Sequence, residues 1–201
     1  MILLQNPDIN VPQHPVEIDA AIVDINQELS DRLSWLSHPY GRIYKNLDIQ
    51  NGQSLFFPEH YLGKQNNSNR YTNITPDNDK TGQCFFFVRR ETVTQYQTGQ
   101  FGFLNYDVSI VFSVNMELVS SASDTDIFQS ILIAQVRDVL TRQLLGKTYK
   151  LTILSIDYLF EDVFRDFNIQ KQTQVEKSPL THFKVNCQIV LPEDCPVPVI
   201  P

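Results

Sequence analysis

The chain is poor in the residues that staple, ligate or anchor. Three cysteines in 201 residues, Cys84, Cys187 and Cys195, make an odd count, and none stands at CxxC spacing from another or near a histidine. That spacing excludes a disulfide framework and a thiolate zinc site. Cys84 and Cys187 fall instead inside strongly apolar, strand-like runs, where thiols of a reducing compartment are buried as small hydrophobes. Positive charge is short as well: 16 Lys and Arg face 23 Asp and Glu, a net charge of -7. Affinity for nucleic acid comes mostly from cations that displace counterions from phosphates, so a basic groove that grips DNA or RNA is not expected. No run approaches the ~20 apolar residues of a membrane span. Residues 1–15 carry Asn6, Asp8, Asn10 and Gln13 where a signal peptide needs a basic start and an unbroken apolar stretch, so neither insertion into a membrane nor export by that route is expected.

What is present is an ordinary core. A chain of this length buries roughly 70% of the surface its unfolded form exposes and needs no staple. Hydrophobic residues at 42% are near the globular average, while charged residues at 19% run slightly low, which leaves some surface to be covered by partners.

Periodicity divides the chain. Over residues 16–36, Ile18, Ile22, Ile25, Leu29, Leu33 and Leu36 recur every three or four positions, which predicts an amphipathic helix. Pro15 suits its first turn, Asp19, Asp24, Glu28 and Asp31 its wet side, and the stretch His38-Pro39-Tyr40-Gly41 its end. Residues 42–50 and 53–57 flank Asn51-Gly52, a dipeptide tolerant of positive φ, so a tight β-hairpin is expected. Residues 63–82, thick with Asn, Ser, Thr, Asp and Lys, read as an exposed loop. Residues 83–96 and 105–119 read as a long second hairpin. In its second arm Tyr106, Val108, Ile110, Phe112, Val114, Met116 and Leu118 alternate with Asp107, Ser109, Ser113, Asn115 and Glu117. One face would enter the core and the other, interrupted only by Val111, would meet water or a partner.

A second helix is predicted from the capping-box spacing of Asp126 and Gln129 through Leu144 to Gly146. A strand at 149–156, a short helical turn at 158–167 and a strand at 180–191 follow. The last strand sets Phe183, Val185, Cys187, Ile189 and Leu191 against His182, Lys184, Asn186 and Gln188. The pattern predicts a single α+β domain over 16–191, a mainly antiparallel twisted sheet packed on two main helices. Extended arms flank it at 1–15 and at the proline-rich 192–201.

Chemistry-bearing motifs are weak. Gly146-Lys147-Thr148 resembles the end of a phosphate-binding loop, yet the required earlier glycine is Thr141, and a helix ends there rather than begins. Asp157, Glu161, Asp162 and Asp166 have helical spacings that would gather a hard cation, but Phe160, Phe164 and Phe167 make a stripe beside them, so the acids read as its wet side. His14, His38, His60 and His182 are scattered, with no nucleophile and acid at a recognisable spacing. Arg89-Arg90 beside Phe85-Phe86-Phe87 reads as a strand leaving the core, solvated or facing a protein partner, rather than as a nucleic-acid platform. No catalytic residue, cofactor or metal is expected.

The order of elements from 16 to 191 resembles the tail terminator or tail-completion proteins of long-tailed bacteriophages. The phrases Gly41-Arg42-Ile43-Tyr44, Phe57-Pro58-Glu59-His60-Tyr61 and Gln83-Cys84-Phe85-Phe86-Phe87-Val88 are similar to tail proteins of phages with Bacteroidetes-type hosts. The resemblance carries no diagnostic motif. It implies a homo-oligomeric ring, usually of six subunits, made in the host cytoplasm and built into the virion. Such a ring stops tail-tube growth, meets the tube protein and the neck connector, and lets DNA pass its lumen without sequence-specific binding. Candidate contact residues are Phe101 and Phe103 at an aromatic hairpin tip, Arg89 and Arg90, and Pro196 and Pro198 in the C-terminal arm. A head-completion or connector protein uses the same features. Residues alone also leave standing a non-virion protein-binding module and a hydrolase with an unadvertised site.

Overall fold

The computed structural model describes residues 9–12, 14–65, 68–94, 102–119, 125–144, 146–169 and 179–192. In chain order the elements are α1 (Glu17–Arg32), β1 (His38–Gln50), β2 (Gln53–Gln65), β3 (Ser68–Asn73), β4 (Gly82–Thr94), β5 (Phe103–Asn115), α2 (Met116–Val119), α3 (Thr125–Asp138), β6 (Lys150–Asp157), α4 (Phe160–Val163) and β7 (Leu180–Pro192). A π-helical turn, Val139–Gln143, continues α3. The strands form one mixed sheet in the order β3-β2-β1-β4-β5-β7-β6, so the architecture is α+β. Only the β1–β4 pairing is parallel; the other neighbours run antiparallel.

β1 serves two neighbours along its length. Its start pairs with β4 through His38, Pro39 and Arg42, with an irregularity between Pro39 and Arg42. Its remainder pairs with β2 from Ile43 to Gln50. The second half of β1, with β2 and β3, therefore forms a three-stranded wing beyond the main sheet. The expected turn joins β1 to β2: Asn51 and Gly52 have φ of 52° and 74°, the left-handed pair that matches strand twist.

The main core lies on one face of the sheet. Ile18, Ile22, Ile25 and Leu29 of α1, and Leu132 and Val136 of α3, meet Val108, Ile110, Phe112 and Val114 of β5 and Phe183, Val185, Cys187 and Ile189 of β7. Each such side chain, once fully buried, contributes about 1.5–3 kcal/mol of transfer free energy. Phe112 stacks on Phe183 with ring centroids 4.8 Å apart, fixing the β5–β7 register.

Several expectations need correction. The helix predicted to Leu36 ends at Arg32, and Leu33, Trp35 and Leu36 are buried in the connection. The stretch 38–41, expected to be a helix stop, is the start of β1. The amide of Asn26 donates to the Pro39 carbonyl (2.8 Å), satisfying an acceptor where the ladder is irregular. The exposed loop expected at 63–82 contains β3, paired with β2 from Asn73 to Ser68, with Tyr61 and Tyr71 in ring contact at 5.3 Å. A strand solvated on both faces has no apolar alternation, so polarity alone disguised it. The strand predicted to 119 stops at Asn115, whose Oδ1 accepts the Glu117 and Leu118 N–H groups and caps α2. Leu118 is consequently exposed rather than in the core.

The largest correction concerns the second face of the sheet. Ser109, Val111, Ser113 and Asn115 of β5, and His182, Lys184 and Asn186 of β7, are buried, not wet. A second core covers them: Val163, Phe164, Phe167 and Ile169 pack with Phe85, Val111, Tyr40, Ile43, Ile74 and Ile9. Ile9, from the segment read as an N-terminal arm, is thus part of the interior, and Pro192, assigned to the C-terminal arm, closes β7 opposite Phe103. No helix among the described residues is long and apolar enough to cross a membrane.

Candidate functional site

Three places gather chemistry or surface. The first is a cleft of about 70 Å³ where residues 9–12 cross the junction of α1 and the wing, lined by Asp19, Arg42 and His60 among others. Arg42 pairs with Asp19 at 3.2 Å. Buried His60 accepts the Asn10 N–H at Nε2 (3.0 Å), so its proton sits on Nδ1 and donates to the Arg42 carbonyl at 3.4 Å. Burial lowers the His60 pKa from its ordinary value despite that carbonyl. The ring is a neutral strut for the N-terminal segment, and the cleft is too small for a substrate beyond a few waters.

The second is a polar row beneath α4. The Lys184 ammonium lies 3.0 Å from the Asp157 carboxylate and also donates to the Asp162 carbonyl. Asn186 donates to Asp157 (3.0 Å) and to Ser155 (2.9 Å) and accepts from the Ser109 hydroxyl (2.8 Å). Burial alone would raise the Asp157 pKa, but the Lys184 and Asn186 donors override it and hold the carboxyl below its usual range. His182 is edge-on to Phe160 and Phe164 and within 2.9 Å of the Ser113 hydroxyl. Each of these groups is occupied by its neighbours, which suits holding α4 on the sheet rather than turnover. Sequence reasoning missed this row. The available signal was a lysine alternating with His and Asn, opposite a short segment carrying both acids and three phenylalanines.

The acidic run therefore divides. Asp157 serves Lys184, Asp162 pairs with Arg165, and Glu161 faces solvent. Among the described residues no group of three or more His, Cys, Asp or Glu side chains could hold a metal ion. Lys147, from the phosphate-loop-like triplet, bridges Asp24 and Glu28 of α1 at 2.8 and 3.2 Å.

The third place is the outer surface. Arg89 and Arg90 are exposed on β4, at an irregularity in its pairing with β5. Phe103 opens β5, 38% exposed, opposite Thr94 and Pro192, and borders an open concavity with Tyr149 and Lys150. Arg90 pairs with Asp107 and so sits four positions from Phe103 along the hairpin, about 13 Å at ~3.3 Å per residue. The two do not form one patch. Phe101, Pro196 and Pro198 lie outside the described residues.

Exposed large apolar side chains that the sequence reading did not choose as contacts are spread over the surface, with Val16, Val93, Leu118 and Ile131 away from either end of the sheet. At the wing, Leu47, Ile49 and Tyr71 are exposed; at the other end, Leu154, Tyr158 and Leu159. Both ends are open edges, since neither β3 nor β6 has a second strand partner among the described residues. No family model and no curated protein matches the chain.

Proposed function

We propose that this chain is a structural subunit of a long-tailed phage virion that closes the tail tube and joins it to the neck. In this reading it is an oligomeric ring, of six copies by the resemblance, touching the tube protein on one side and the connector on the other. The tail-terminator-like arrangement, two main helices on a mainly antiparallel sheet with extended terminal arms, belongs to the same proposal. The observation that carries it is that exposed apolar side chains include groups at both ends of one open sheet, Leu47 and Ile49 on the wing and Leu154 and Leu159 beside β6. Two different patches at opposite ends of a subunit associate head to tail, and a head-to-tail contact closes into a ring when its rotation permits. The net charge of -7 suits a lumen through which DNA moves without adhering. The polar row beneath α4 and the His60 cluster are satisfied by their own neighbours, which favours assembly over catalysis.

Mass photometry of the purified chain, with negative-stain microscopy, tests the ring; immunogold labelling of particles tests its place. Closed rings and label at the neck are the expected results. Particles that lack the chain, together with a stable monomer, would end the proposal. Overlong tails in a mutant lacking it would identify the terminator role, and normal tails without heads the head-completion role.

A further inference from the structure

We infer that residues 9–12 and His60 form a pH-sensitive latch: the neutral ring holds this strap in its cleft, and protonation of the ring releases the strap while the rest of the domain stays folded. The grip of the strap is shallow. Ile9 is buried in the second core, but Asn10 and Val11 are only half-buried, and Pro12 and His14 lie exposed on the way to α1. The joint to the helix is bent as well. Glu17 has a φ of 48°, a left-handed conformation that an L residue adopts at a cost and that a freed strap need not keep.

The imidazole is the catch. Nε2 accepts the Asn10 N–H at 3.0 Å, and Nδ1 lies 3.4 Å from the Arg42 carbonyl oxygen, which can only accept. These two partners fix one tautomer and engage both nitrogens. A second proton must therefore sit on Nε2, where it meets a backbone N–H that has no lone pair to offer and cannot turn away unless the strap moves. Two donors then face each other around a side chain only 2% exposed. The surroundings do not offset the new charge. On β1 the Tyr40 ring lies 5.6 Å from the imidazole and carries the Lys80 ammonium on its hydroxyl. Asp19 of α1 lines the same cleft but is paired with Arg42 at 3.2 Å, and Asp77 is paired with Lys80 at 3.4 Å. On β2 itself Glu59 points to the other face, towards Asn46, and β3 sets the uncharged Thr72 opposite His60. Residues 9–12 carry no charged side chain. An imidazolium here stands near two cations with no unengaged carboxylate, so it is tolerated only once the strap has let water in. Burial already lowers the pKa of this ring from its ordinary value. Release draws Ile9 out of the second core and opens the cleft along Ile22, Tyr44 and Tyr61.

Hydrogen exchange and an NMR titration of the intact chain test the latch. After correction for intrinsic rates, the Asn10 amide should exchange through a local opening, about tenfold or more faster than the core amides of Ile110 and Val185. Its protection should fall by up to about tenfold per pH unit below about pH 6.5, the signature of one proton taken up on opening. The His60 ring signals and the Asn10 amide signal should move together, with one midpoint below 6.5. In His60→Gln, whose amide oxygen accepts the Asn10 N–H without titrating, protection should stay flat across the same range. An Asn10 amide as protected as the core overturns the latch, because the strap then leaves only when the whole domain unfolds. A ring that titrates while Asn10 stays still overturns it too, as does equal pH dependence in His60→Gln.

Discussion

Replacing Asp157 should cost far more stability than replacing its partner Lys184, although the two form a single ion pair. The Lys184 side chain is 3% exposed and that of Asp157 23%. In Asp157→Ala the ammonium stays sealed beneath α4 with the Asp162 carbonyl as its remaining acceptor, and an uncompensated buried charge costs roughly 3–5 kcal/mol. In Lys184→Met the ion leaves altogether and a flexible apolar chain takes its space. Asp157, 23% exposed, then keeps the Asn186 amide and takes water in place of the ammonium, so the main loss is the donor to the Asp162 carbonyl, about 1 kcal/mol. For a chain of this size 1 kcal/mol moves the melting temperature by ~2–4 °C. Lys184→Met should therefore lower Tm by a few degrees and Asp157→Ala by about three times as much. The double variant should recover most of the difference. Urea unfolding followed by Trp35, the single tryptophan, buried and edge-on to Phe112 at 6.2 Å, reads each stability directly. If Lys184→Met proves as damaging as Asp157→Ala, the lysine is not a buried charge in need of its carboxylate and the reasoning fails.

Two further perturbations probe the frame around the sites. His60 is held neutral, its pKa below 6.5, so between that lowered value and 6.5 the unfolded chain binds more protons than the folded one; stability is full above about pH 6.5 and falls as pH drops through the window, by at most ~1.4 kcal/mol per unit. Urea titrations between pH 7.5 and 5 should show that slope in the wild type and a shallower one in His60→Gln, whose amide oxygen can accept the Asn10 N–H; equal slopes would remove His60 from the explanation. Gly82→Ala would place a Cβ 2.6 Å from the Trp35 carbonyl oxygen and 2.8 Å from its Cε3, so backbone must move and the expected loss is about 1–3 kcal/mol, with a shifted Trp35 emission as its signature. An unchanged melting curve would show that the α1–β1 connection yields freely.

Elements that bury one face and wet the other were legible in the sequence. α1 shows its 3.6-residue period from Ile18 to Leu29, β5 and β7 show their two-residue periods, and Asn51-Gly52 gives the turn its only comfortable backbone. What misled were segments whose environment another part of the chain decides. β7 alternates Phe183, Val185 and Cys187 with His182, Lys184 and Asn186, and alternation alone says that the polar set is wet. It is buried because residues 160–169 fold back over it, and the pairing of Lys184 with Asp157 comes from the β6–β7 register rather than from any spacing along the chain. β3 is the reverse case: Ser68, Asn69, Arg70 and Asn73 look like loop because neither face of that strand is covered. The contact residues chosen from sequence were the aromatics and arginines of the long hairpin and Pro196 and Pro198 of the C-terminal arm, whereas the exposed aliphatics Leu47, Ile49, Leu154 and Leu159 sit in strands and turns whose exposure is decided by the fold rather than by any pattern along the chain.

The buried polar row and the outer surface are connected. Lys184 reaches from the middle of β7 to Asp157, the last residue of β6, and to the Asp162 carbonyl in α4, so it ties together both ends of the turn that displays Tyr158, Leu159 and Glu161. A buried ion pair is a poor source of net stability, because desolvation consumes most of what the charges return. It is a good source of fixed geometry, since an ammonium with two named acceptors admits few alternative arrangements of the backbone that carries them. Association costs rise with every side chain and loop that must be ordered at the moment of contact. A turn already clamped from beneath presents its aliphatic and acidic groups with that ordering done, and the same holds for the wing, pinned where Asn168 exchanges two hydrogen bonds with Phe56 at 2.7 Å each. The residues that alternation would have sent to solvent are therefore the ones that hold the solvent-facing turn at 158–161 in one geometry.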